Sequence, residues 1–256
     1  MSLVDLWESD TPDAWGARWG LPKLEIHDVI GSTNDRAREL VEAGAEAFTA
    51  VIAEAQTMGR GREGRRWESP AGTGLWLSMI APPREQSARA LMPLRVGLAV
   101  CRAVERAAPG VYAGLKWPND VLLDGRKVAG VLCESTPGGV VIGVGINVRP
   151  GSLPEPLTDT AVALEEASGQ PVDLGRLAGE LIAELRELLA PGSLGLEGDV
   201  AREIDARDVL KGRKVLADTG ESGIARGIGR DGALRVELAT GEVCRVMAGG
   251  VRIREG

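Results

Sequence analysis

The chain has 256 residues, 44% of them hydrophobic, with a net charge of −7 and a pI near 5.0. That is enough apolar material for one sizeable core, or for one core plus a small module, and the acidic balance disfavours a broad nucleic-acid-binding surface while leaving room for a local basic site. Three widely spaced cysteines, Cys101, Cys133 and Cys244, fit neither a disulfide framework nor a zinc site. They suggest a reducing compartment. The acidic start lacks the apolar core of a secretory signal, and no apolar run reaches the length of a membrane span. The expectation is a cytoplasmic protein with no membrane and no nucleic-acid partner.

Residues 1–22 read as an extension whose Trp15 and Trp19, four apart, share a helix face and dock on the body. "LEIHDVI" (24–30) reads as a strand. A helix follows, with Ser32 as N-cap, Asp35 in its first turn and Gly44 as its stop. Residues 47–55 and 74–81 are buried strands, and a helix begins near Pro93. "GLKWPNDVLLDGRKVAGVLCES" (114–135) reads as strand, turn, strand, with Asp124-Gly125 marking a hairpin turn. A strand over 139–148 is followed by helices near 158–168 and 173–190. Loop signals at 191–198 precede a last connecting helix. From about Asp208, short strands alternate with glycine-rich turns, as in a small β-barrel. The division expected is 1–22, 23–205 and 206–256.

Between two of these strands lies "GRGREGRRWESPAGTG" (59–74). Its Gly59, Gly61 and Gly64 match G-x-G-x-x-G, but Pro70 and the nearby glycines cannot sustain the helix a dinucleotide fold needs there. Arg65 and Arg66 stand where a P-loop needs Lys and Ser/Thr. Residues 59–66 carry four arginines and one glutamate, so they are cationic within an acidic chain. Glycine lets backbone N–H groups approach an anion, and arginine offers planar donors to phosphate and carboxylate. A second cluster, "KWPND", holds Lys116, Trp117, Asn119 and Asp120, with Lys127 just beyond the turn. Both lysines could face one pocket, although spacing does not fix the register. Trp76 reads as core; Trp67 and Trp117 read equally as core or as site lining. Two lysines, four arginines and a carboxylate suit a reaction between anions. His27, the only histidine, reads as an ordinary strand residue, and Cys133 as inert.

The segments "AEAQTMGRGREGRRWESPAGTGLWLS" (53–78), "KWPNDVLLDGRKVAGVLCE" (116–134) and "GVGIN" (143–147), in that order, closely resemble the biotin protein ligases. "GSTND" (31–35) is similar to their first ligand-contact segment, and 226–238 to part of their small last domain. The resemblance covers about residues 22–256. It implies an α/β (α+β) fold related to class II aminoacyl-tRNA synthetases, with a mixed sheet, helices on one face and a C-terminal SH3-like barrel. It implies biotin, ATP and Mg2+ as ligands, and transfer of biotin to one lysine of a biotin carboxyl carrier protein. It also implies roles. Ser32, Thr33 and Asn34 would contact the biotin ring system, and Gln56 would bond near the ureido group. Gly59, Arg60, Gly61 and Arg62 would wrap the biotinyl-adenylate, with Arg62 near its phosphate. Trp67 would lie against adenine and Asn147 would touch the nucleotide. Lys127 would bind the activated carboxylate and phosphate, with Lys116 nearby. Asp120 would serve the metal or the incoming lysine; no metal ligand is assigned. Relatives with a second role as repressors carry an N-terminal helix-turn-helix domain, for which 22 residues are too few. Lipoate and octanoate ligases share the fold, but the glycine run leading to a histidine that marks them is missing here. A homodimer through sheet edges is a further expectation.

Overall fold

The computed structural model describes residues 2–151, 153, 157–190 and 195–254, with the side chains of 86, 87 and 89 left aside. Seven strands form the main sheet: β1 (Leu24–Ile30), β2 (Ala50–Gln56), β3 (Gly74–Ala81), β4 (Gly114–Lys116), β5 (Asp120–Leu123), β6 (Arg126–Thr136) and β7 (Gly139–Asn147). Their spatial order is β1-β2-β3-β7-β6-β5-β4. β1 and β2 run parallel, and every other neighbouring pair is antiparallel. The sheet is therefore mixed, as expected.

Strand alternation decides which face carries what. Ala50, Ile52, Leu75, Leu77, Met79, Ile142, Val144 and Ile146 point into the main core. Two long helices cover that face, α3 (Gln86–Ala107) and α5 (Leu174–Leu188). The opposite face carries Val51, Ile80 and Val141, against which α2 (Thr33–Glu42) packs Ala37, Leu40 and Val41. The helices thus lie on both faces. The α2 face is only partly covered, and the cleft opens there.

Beyond the helices expected on one face, two expectations need correction. α3 begins at Gln86 and carries Pro93 inside it. An interior proline costs about 3 kcal/mol, but Met92, Leu94, Val96 and Leu98 are all buried in the helix around it, and each such side chain is worth about 1.5–3 kcal/mol. Packing therefore wins. The helix expected near 158–168 shrinks to α4 (Leu164–Ser168), because the segment before it lies against β6. There, the Lys127 N–H donates to Thr160 O at 2.9 Å and Val162 N–H donates to Lys127 O at 3.0 Å. The loop expected at 191–198 falls partly outside the described residues.

The N-terminal helix α1 (Pro12–Arg18) is capped by Thr11, whose hydroxyl accepts from Ala14 N–H. Trp15 and Trp19 stack with ring centroids 4.9 Å apart, and Trp7 meets both edge-on. They seat on α5 at two glycines: a Cβ on Gly175 would lie 2.6 Å from the Trp15 ring, and one on Gly179 2.7 Å from that of Trp19. The helix α6 (Gly198–Arg207) leads to a five-stranded antiparallel sheet of β8 (Lys214–Ala217), β9 (Ser222–Ile228), β10 (Leu234–Leu238), β11 (Val243–Val246) and β12 (Val251–Ile253). Its strand order is β11-β10-β9-β8-β12. Its buried Val215, Ala225, Leu234 and Val236 continue the main core.

Candidate active site

A cleft of about 740 Å³ lies between the α2 face of the large sheet and the small sheet. Its walls are the start of α2, the glycine–arginine loop, the 116–120 turn, the hairpin, and Asp218 and residues 250–253 of the small sheet. Its floor is made of glycines. A Cβ on Gly145 or Gly130 would come within 2.5 or 2.8 Å of the Trp67 ring, and one on Gly143 within 2.3 Å of Asn34 Oδ1. Glycine weakens a strand interior unless something approaches closely; here an indole and an amide do. Trp67 also meets Trp76 edge-on at 6.4 Å. Trp76 is buried core.

At the start of α2, Ser32 occupies the N-cap position but makes no capping bond. Gln56 does that work instead. Its Oε1 accepts from Thr33 N–H at 2.8 Å and from the Thr33 hydroxyl at 3.1 Å, while its Nε2 donates to Ser69 Oγ at 2.8 Å. Ser32, Thr33, Asn34 and Gln56 all line the cleft. Asn34 is buried; its Nδ2 donates to Glu134 at 2.7 Å and its Oδ1 accepts from Ser78 at 2.5 Å.

The loop closes on itself through short-range bonds: Gly61 N–H to Arg65 O at 2.7 Å and Trp67 N–H to Gly59 O at 2.9 Å. Within it, Arg62–Gly64 form one 3-10 turn with Glu63 at φ 59°. Its arginines part company. Arg62 lines the cleft and donates to Asn119 Oδ1 at 3.1 Å and to Gly249 O of the small sheet at 3.4 Å. Arg60 also reaches the cleft, but its Nη2 is held by Asp35 and Glu134, 2.8 Å from each. Gly61 lines the cleft, whereas Gly59 borders an adjoining cavity of about 450 Å³.

Opposite the loop, Lys127 Nζ pairs with Asp120 Oδ1 at 2.6 Å and stands 5.1 Å from the centre of the Trp67 ring. Lys116 is in register with Asp120 across β4 and β5, so both lysines reach the one cleft. The Asp124-Gly125 turn has φ of 47° and 79°, as a two-residue hairpin requires. The peptide before Pro118 is cis, and the buried Trp117 donates from Nε1 to Gly232 O at 2.8 Å. Asn147 is buried at the end of β7, beside the Lys127 carbonyl. Burial pushes the thiols of Cys101 and Cys133 up to about 12. His27 is buried against Glu25, away from the cleft lining.

Sequence reasoning placed Asn119 in a cluster without giving it a role, and did not single out Glu134, the floor glycines or the contribution of the small sheet. Lone glycines inside strand patterns were a usable signal for the floor. The others depend on contacts distant in sequence.

The model of the biotin/lipoate A/B protein ligase family matches residues 26–150. The bifunctional ligase/repressor BirA of Bacillus subtilis is 39% identical over 158 residues, covering 59% of this chain and 48% of that protein; the chain thus aligns with about half the length of that relative. The biotin--[acetyl-CoA-carboxylase] ligase of Mycobacterium tuberculosis is 35% identical over 245 residues, 92% of this chain and 91% of that one. Among solved structures, the biotin protein ligase from Aquifex aeolicus in complex with biotin and ATP superposes with a TM-score of 0.79 at 29% identity, over 92% of this chain and all of that one. With that extent of likeness and this fold, the chain belongs to the biotin protein ligase family.

Proposed function

We propose that the protein activates biotin with ATP as biotinyl-5'-AMP and transfers the biotinyl group to a lysine of a biotin carboxyl carrier protein. The observation that carries this reading is the meeting of Lys127, Lys116 and Arg62 above a glycine floor, beside the polar group Ser32, Thr33, Asn34 and Gln56. The polar end suits the ureido ring of biotin, and the cationic end suits its carboxylate and the α-phosphate of ATP. Trp67 offers a flat face to adenine.

A carboxylate attacking a polyanion must overcome like-charge repulsion, about 4 kcal/mol for unit charges 4 Å apart at an effective dielectric of 20. Lys127 and Arg62 lower that barrier by field and position. Lys127 begins paired with Asp120. An arriving carboxylate and phosphate compete for the ammonium, which leaves Asp120 free to accept a proton from the carrier lysine in the second step. Mg2+ is expected to arrive with the nucleotide: no cluster of three His, Cys, Asp or Glu suited to a metal ion occurs among the described residues, and magnesium commonly keeps water and phosphate ligands beside one or two carboxylates. When bound, it would neutralise phosphate charge.

We read residues 23–205 as the catalytic unit and 206–256 as a barrel that closes one wall of the cleft. No helix among the described residues is long and apolar enough to cross a membrane; the compartment proposed is the cytoplasm. A homodimer through sheet edges would have to displace chain already there, since Leu3 bridges His27 at one edge and Leu115 bridges Asp208 at the other.

The test is incubation with radiolabelled biotin, ATP and a carrier domain. Label should appear on the carrier, require ATP, and vanish when the carrier lysine is replaced. The absence of both labelled carrier and biotin-dependent ATP–pyrophosphate exchange would refute the reading. Exchange driven by lipoate rather than biotin would reassign the substrate.

A further inference from the structure

We propose that Glu134 is a positioning residue: one carboxylate orients the biotin side of the site and also anchors the first arginine of the loop, so that pocket and loop close together. The inference deepens the ligase reading and rests on it. Glu134 lies on β6, opposite Val141 of β7. It borders the adjoining cavity rather than the cleft itself, so it acts through other residues.

Its oxygens gather three side chains from two segments, α2 and the glycine–arginine loop. Oε2 accepts from Asn34 Nδ2 at 2.7 Å and from Arg60 Nη2 at 2.8 Å; Oε1 accepts from Arg38 Nη2 at 3.0 Å. Asp35 completes the clamp, receiving Arg60 at 2.8 Å and Arg38 at 3.4 Å. An ionised carboxylate can only accept hydrogen bonds. The Asn34 amide must therefore turn its NH2 to Glu134 and its oxygen to Ser78. Ser78 Oγ lies 2.5 Å from Asn34 Oδ1 and 2.7 Å from Thr33 Oγ1. The Ser78 proton goes to the Asn34 oxygen, which has none to give. Thr33 has one hydroxyl proton, and both acceptors for it, Ser78 Oγ at 2.7 Å and Gln56 Oε1 at 3.1 Å, lie inside the protein. Thr33 is left facing the cleft as an acceptor, the polarity a ligand N–H needs. Charge at Glu134 thus orients the Asn34 amide, which lines the cleft, and through it the Ser78 hydroxyl. The same charge fixes Arg60, and with it the entry to the glycine–arginine loop.

Glu134→Gln keeps the volume but removes the charge, and it can offer a donor where Asn34 needs an acceptor. Calorimetry with the full-length protein should show biotin binding about tenfold weaker in E134Q. KM for biotin should rise by a similar factor, while kcat at saturating biotin falls less than about threefold. E134D keeps charge and polarity and should recover most of the affinity. Arg60→Gln provides a second arm that leaves Glu134 with Asn34 and Arg38. It should release biotinyl-adenylate faster and leave biotin affinity closer to that of the wild type. Wild-type affinity in E134Q, an equal fall in kcat without a change in KM, or unchanged adenylate release in R60Q would each overturn the proposal. A wild-type protein that forms no adenylate from biotin and ATP would instead sink the ligase reading, and this inference with it.

Discussion

The glycine–arginine loop and the hairpin that follows the 116–120 turn both deliver cations to one cleft, but they are held by different forces. The loop is tied by a few backbone bonds between near neighbours and by ion pairs of partly exposed side chains. Such pairs are worth about 0–1 kcal/mol each. Lys127 belongs to the seven-stranded sheet, with buried Val128 and Ala129 beside it and its own N–H and C=O clamped by residues 160 and 162. The contrast has a chemical logic. In the proposed reaction, the cation at the bond-making step needs a fixed position. The cations that admit and then enclose a reactive anhydride need a segment that orders at small cost.

The largest test of that division is Lys127→Ala. It should lower biotin-dependent ATP–pyrophosphate exchange by about 10²–10³-fold, the scale of losing one preorganised electrostatic group, without moving the melting temperature by more than about 2 °C. Normal exchange would remove Lys127 from the chemistry. Gly145→Ala attacks the floor instead. Its new Cβ would fall 2.5 Å from the Trp67 ring, so the indole must shift, and kcat/KM for ATP should drop about tenfold in steady-state assays. Arg62→Gly targets the loop. Exchange should persist, but adenylate should leak several-fold faster and label lysines of an added bystander protein; tight retention would contradict the contact assigned to Arg62.

The smallest effect is a stability control remote from both regions. Hydrogen bonding to Arg36 holds the Glu25 carboxyl at about 2, below its usual 4.5, against the opposing effect of burial. A depressed folded value means stability that is present above pH 4.5 and lost as pH falls towards 2. Glu25→Gln should therefore cost about 1–3 kcal/mol at pH 7. The gap from wild type should narrow between pH 4.5 and 2, as followed by urea unfolding. A gap that is flat with pH would show that the ion pair contributes nothing.

Much of this was legible in the sequence because local rules carried it. The segments 24–30 and 74–81 read as strands and are strands, and Asp124-Gly125 reads as a hairpin turn and is one. The polar residues of the cleft stand on the segments that the family resemblance flagged. What escaped was decided at a distance. Ser32 reads as a cap, yet Gln56, from another strand, supplies the bond. Pro93 reads as a helix start, yet core burial carries α3 through it. Glu134 lies at the end of a strand motif with nothing local to distinguish it; its meaning comes from Asn34 and Arg60. The tryptophans of the N-terminal segment were visible as a helix face, but not the two α5 glycines that seat them.

The central claim is that the loop over residues 59–66 closes on a bound biotin–nucleotide pair. Limited trypsin digestion, followed by mass spectrometry, reads cleavage after Arg60, Arg62, Arg65 and Arg66 directly. The account predicts ready cleavage in the free protein and strong protection when biotin and ATP are present together. Equal cleavage with and without the two ligands would contradict it.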